Sequence, residues 1–116
     1  MCALIERKRL ESNGKEDVFL SILGDKFSRQ ILGCIVDRPK TALEISAECD
    51  ILLSMVYRRL QFLEEANVLS VTGMIGKDGK KRFAYQSRIS GISASFDKNA
   101  IVATVKPSMI TSQENS

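Results

Sequence analysis

The clearest alternation of apolar and polar positions lies between Thr41 and Val71. Leu53, Val56, Leu60 and Leu63 fall within an arc of roughly 80° at helical spacing, which predicts a helix with one buried stripe. Ser54, Tyr57, Arg58 and Gln61 form a separate arc pointing away from it. Just upstream, Thr41 and Glu44 have the spacing of a capping box, so a shorter helix should start after Pro39-Lys40 and end near Cys49. Leu43, Ile45 and Cys49 would be its apolar positions. Asp50 then stands where the chain must turn sharply, and Asn67 suits a left-handed cap before a strand opening at Val68-Leu69-Ser70-Val71.

Similar patterning organises the flanks. Asp17 to Leu23 reads as a short helix closed by Gly24. Asp25 can cap a second one, with Phe27, Ile31, Cys34 and Ile35 as its core face, reaching Val36 or Asp37 before Pro39 stops it. Leu69 to Met74 and Arg82 to Ser87 are extended segments around the turn-rich Gly76-Lys77-Asp78-Gly79-Lys80. Ile92, Ala94 and Phe96, then Ile101, Ala103 and Val105, alternate with polar neighbours on either side of Lys98-Asn99, which predicts a second hairpin.

These elements divide the chain into four parts. Residues 1–16 form an N-terminal arm, with a helix expected around Ala3 to Leu10 and a break at Ser12-Asn13-Gly14. Residues 17–88 form an α+β domain of three to four helices and a two-stranded wing. A β-hairpin follows at 89–106, and a disordered tail at 107–116.

Composition changes this picture modestly. Seventeen Lys and Arg against 14 Asp and Glu give 116 residues a net charge of only +3, but the excess is local. Lys77, Lys80, Lys81, Arg82 and Arg88 face a single acid, Asp78, in the stretch that holds the turn. No apolar run approaches the ~18 residues of a membrane span, and MCALIERKRLES becomes charged too early for a signal peptide. Cys2, Cys34 and Cys49 include no C-x-x-C pair, so they suggest a reducing, cytoplasmic setting. With no His and scattered cysteines, neither a metal centre nor any cofactor is expected. Nor is an enzyme, because no phosphate loop, nucleophile elbow or paired carboxylates stand out.

LGDKFSRQIL, the Thr-x-x-Glu cap, and Val-Tyr-Arg-Arg-Leu followed by Leu-Glu-Glu-Ala-Asn together resemble the ArsR-like winged helix-turn-helix regulators of prokaryotes, over roughly Phe19 to Tyr85. The resemblance implies a transcription regulator that binds double-stranded DNA, usually as a homodimer, with its recognition helix in the major groove and its wing on the backbone or minor groove. Carried over, Ser54, Tyr57, Arg58 and Gln61 match groove-facing positions, and Lys77, Lys80, Lys81 and Arg82 match the wing.

The chain departs from that pattern in several places. Leu52 occupies the N-cap position usually held by Ser or Thr, a loss worth about 1 kcal/mol unless Asp50 caps instead. Phe62 lies off its helix's buried stripe. The family's long C-terminal dimerisation helix is replaced by the hairpin from Ile89 to Val105, whose alternating part from Ile92 to Val105 becomes the candidate dimer surface.

Individual residues keep two readings. Arg58 reads either as a bidentate base contact or phosphate clamp or as a solvated arginine on a surface helix, and Arg59 either pairs with Glu64 or Glu65 or holds a phosphate. Tyr57 reads DNA or packs on the preceding helix. The wing cations neutralise phosphates, whereas Cys34 and Cys49 read first as packing residues. A protein-interaction module, using Leu52, Leu53 and Phe62, is the alternative function.

Overall fold

The computed structural model describes residues 13–98 and 100–108. Four helices precede the strands: α1 (Asn13–Gly24), α2 (Lys26–Cys34), then α3 (Ala42–Cys49) and α4 (Leu53–Glu65) after the short strand β1 (Lys40–Thr41). Strands β2 (Leu69–Ile75) and β3 (Lys81–Ser87) form the first hairpin, β4 (Ile89–Asp97) and β5 (Ala100–Pro107) the second. The described chain is thus α+β, with an antiparallel three-stranded sheet in the order β1-β3-β2 and a separate antiparallel pair, β4-β5. None of its helices is long and apolar enough to cross a membrane.

Local chemistry explains most boundaries. The Asp25 carboxylate accepts from Ser28 N at 2.9 Å and opens α2 as an N-cap. At α3, Glu44 N donates to Thr41 Oγ1 at 3.2 Å and Thr41 N to Glu44 Oε1 at 2.8 Å, a complete capping box. Asp50 at φ 57° and Asn67 at φ 63° adopt the left-handed conformation expected of them. Leu52 precedes α4 without any side-chain cap, so Asp50 does not take over that role.

Ile22, Ile31, Ile35, Ile45, Val56 and Leu63, each at 0% exposure, hold α1 to α4 around one core. Phe62 packs against its edge, which answers the question of its position off the stripe. Leu43 does not belong to the core: at 66% exposed it stands on the outer face of α3, and Ala42 and Ile45 are buried instead. Leu43 and Ile45, two positions apart, stand about 200° apart on a helix and cannot share a face, whereas Ala42, Ile45 and Cys49 can.

Several boundaries also shift. Helix α1 begins at Asn13, not Asp17, so Asn13-Gly14 is not a break. Helix α2 stops at Cys34 because Ile35, at φ −118°, has left the helical region. Strand β1 was not expected; it pairs Lys40 with Tyr85 and Thr41 with Ala84, making β3 the central strand. Residue 107 belongs to β5 and not to a tail, and Ser108 is buried, its N–H donating to Arg88 O at 2.9 Å. The helix expected around Ala3 to Leu10, Cys2, and the rest of the tail lie outside the described residues.

The passage between the two sheets is tightly bonded. Ser87 N donates to Ile35 O at 3.0 Å and Arg88 N to Val68 O at 2.8 Å, while the Arg88 guanidinium donates to Asn67 Oδ1 at 2.9 Å. The second hairpin therefore leaves the core from a fixed base.

Candidate nucleic-acid interface

Burial of Val56, Leu60 and Leu63 orients α4 and sends Ser54, Arg58 and Gln61, spaced four and three residues apart, to its exposed face. All three lie where the sequence pattern puts them. Tyr57 is 53% exposed and occupies the wall of an open basin of about 210 Å³, shared with Thr41, Leu43, Lys81, Arg82 and Phe83. This basin brings Tyr57 of α4 together with the start of α3 and the first half of β3. Tyr85 lines it too, its phenol pushed up by burial and by the neighbouring Glu64 and Tyr57.

Arg59 corrects both sequence readings. It pairs neither with Glu64 nor Glu65, nor is it free for a phosphate: its Nε donates to Asp25 Oδ2 at 2.7 Å and its Nη2 to Oδ1 at 3.2 Å. The guanidinium also lies 5.5 Å from the centre of the Phe27 ring. Held by Arg59 and by Ser28, the Asp25 carboxyl stays well below the usual carboxylate range. A signal for this was present, because Arg59 sits only about 60° from Val56 on the helical wheel and so beside the buried stripe.

At the hairpin tip, Gly76 N donates to Lys80 O and Gly79 N to Gly76 O, both at 2.9 Å, with Gly79 at φ 80°. Asp78 organises the turn: it accepts from Lys80 N at 3.0 Å and from the Arg82 guanidinium at 3.2 and 2.8 Å. Those bonds, the Arg82 pair first, bring its carboxyl down to about 2. Arg82 is thus already engaged, against the expectation of a free phosphate ligand. Its guanidinium also lies over Gly76, where any Cβ would collide with it.

Lys77, Lys80 and Lys81 are exposed, and among the described residues none of them enters an ion pair. Lys81 rests over the Phe83 ring at 5.4 Å, which keeps its charge at the basin rim. The surface can therefore offer hydrogen-bond donors and acceptors from α4, three exposed ammonium groups from the hairpin, and the apolar side chains that line the basin. Among the described residues no cluster of His, Cys, Asp and Glu could hold a metal ion. No model of a known protein family and no curated protein matches the chain.

Proposed function

We propose that this protein is a sequence-specific DNA-binding transcription regulator of the winged helix-turn-helix class, related in plan to the ArsR-like regulators of prokaryotes. In this reading α3 and α4 are the helix-turn-helix, α4 enters the major groove, and the β2–β3 hairpin is the wing. The observation that carries it is the basin that Tyr57 of α4 shares with Lys81 and Arg82 of the hairpin, on a helix whose Ser54 and Arg58 are exposed. A groove-sized helix with an uncapped, exposed N-terminal end and a cationic hairpin beside it suits base edges and phosphates together.

Homodimerisation belongs to the same proposal. Register pairs Ile92 with Val105, Ala94 with Ala103 and Phe96 with Ile101, so all six side chains share one face of the β4–β5 ribbon. Phe96 at 81% and Val105 at 39% exposure leave that face incompletely covered. A two-stranded ribbon is marginal by itself, and a second copy would cover it while presenting two recognition helices to half-sites roughly 34 Å apart.

The test is fluorescence anisotropy with a duplex from the region upstream of the protein's own gene and a shuffled control, at two salt concentrations. Site preference of about a thousandfold, with affinity falling steeply as salt rises, is the expected result. Weak, sequence-blind binding would overturn it.

A protein-docking role is the second reading, favoured by Leu43, Leu52 and Ile75 at 66%, 72% and 77% exposed. Of these Leu43 lines the basin, and exposed large apolar side chains of this kind suit a protein partner better than phosphates. Loss of binding to a protein partner, with no effect on DNA, in an Arg58→Ala variant would select that alternative.

A further inference from the structure

Away from the basin, the C-terminal ends of α2 and α3 bring two thiols together beside a lysine. Lys40, whose side chain is only 10% exposed, donates from Nζ to Cys34 O at 2.6 Å, to Glu48 Oε1 at 2.8 Å and to Cys34 Sγ at 3.4 Å. The Cys34 thiol lies 3.6 Å from the same Glu48 oxygen. Cys49 follows Glu48 on α3, and its thiol donates to Gln30 O, 3.7 Å away on α2 and one helical turn before Cys34. Both cysteines are free and half-buried.

The two thiols are not equivalent. The Lys40 ammonium stands against Cys34 Sγ, placed to give a proton to an oxygen leaving from that sulfur, while the Cys34 thiol itself donates to Glu48 Oε1. Burial, the neighbouring Cys34 and the Glu48 carboxylate all push Cys49 up and keep it protonated. Cys34 therefore has a proton donor against its sulfur, and Cys49 stands beside the same Glu48 as a protonated thiol.

We propose that Cys34 and Cys49 form a modification site, a dithiol that hydroperoxides oxidise to an intrachain disulfide, with Cys34 as attacking and Cys49 as resolving thiol. Cys34 gives its thiol proton to solvent, its sulfur attacks one peroxide oxygen and the O–O bond breaks. Cys34 becomes a sulfenic acid, and the departing oxygen takes a proton from the Lys40 ammonium and leaves as water, or as the alcohol from an organic peroxide. Lys40 regains its proton from solvent. The Cys49 sulfur then displaces hydroxide from the Cys34 sulfur; the S–O bond breaks, the S–S bond forms, and the thiol proton leaves with hydroxide as a second water. Two electrons from the two sulfurs reduce one peroxide.

Tryptic cleavage makes the product readable, because Cys34 falls in Gln30–Lys40 and Cys49 in Thr41–Arg58, the Arg38-Pro39 bond being resistant. The full chain carrying Cys2→Ser is treated with hydrogen peroxide, quenched with N-ethylmaleimide and mass-mapped. The expected result is loss of both thiols per chain, a cross-link between those two peptides that dithiothreitol reverses, and oxidation about tenfold faster than in the urea-unfolded chain. Adding Cys49→Ser should arrest the reaction at a dimedone-reactive sulfenic acid on Cys34, and Lys40→Gln should slow it. Oxidation no faster than in the unfolded chain, or links formed only between separate chains, would overturn the proposal. That comparison needs only the Cys2→Ser chain, so it decides the matter even if the other variants fail to fold.

Discussion

Arg59, in the middle of α4, closes a two-point ion pair with Asp25, the residue that caps α2, at 2.7 and 3.2 Å. The carboxylate thereby caps the start of α2 and anchors α4, which couples the helix that carries the exposed polar face to the cap of α2. Asp25→Ala should remove both roles and cost about 2–3 kcal/mol, against about 1–2 for Arg59→Ala. A double-mutant cycle in urea should return a coupling of about 1 kcal/mol; additivity would mean the pair contributes nothing.

The same pair sets a pH dependence. Asp25 is held below its ordinary value of 3.8 when folded, so its contribution is complete above that value and is lost as pH falls through the depressed folded one. Wild-type stability should therefore decline more steeply than that of Asp25→Asn as pH drops below about 4. Parallel urea titrations at neutral and acidic pH measure the difference.

Helix α3 offers a contrast in burial. Ile45, at 0% exposure, should cost about 2–5 kcal/mol when cut to Ala. Leu43, two positions earlier and 66% exposed, should change stability by less than about 0.5 kcal/mol. If Leu43→Ala instead weakens DNA or partner binding with stability intact, its exposure is functional.

At the hairpin tip, Asp78 competes with any phosphate for Arg82. Asp78→Ala should tighten duplex binding a few-fold by releasing the guanidinium, with little change in melting temperature because the ion pair is exposed. Lys80→Glu with Lys81→Glu should weaken binding uniformly across sequences and reduce the salt slope by about 2. Arg58→Ala should instead relax preference at one base pair. Anisotropy on matched and mismatched duplexes separates these outcomes.

For assembly, Phe96→Asp and Val105→Asp should convert a homodimer to a folded monomer, as read by light scattering with circular dichroism as the control. Both side chains lie on the uncovered ribbon face, so the core should survive their change. A wild-type monomer at micromolar concentration would remove dimerisation from the proposal.

Local rules alone determined a good deal of this protein. The capping box at Thr41 and Glu44, the cap at Asp25, the left-handed Asp50 and Asn67, the stripe of α4 and both hairpins follow from interactions within a few residues, and these are legible in order along the chain. Tertiary structure decided the remainder, because it depends on which distant groups meet. Strand β1 exists only because β3 offers an edge to Lys40 and Thr41. Arg59 is withdrawn from the exposed face by a carboxylate 34 positions away, and Leu43 is exposed because Ala42 and Ile45 take the places against the core. The meeting of Cys34, Lys40, Glu48 and Cys49 is of the same kind: helix ends brought together by packing create an electrostatic setting that no spacing in the sequence encodes.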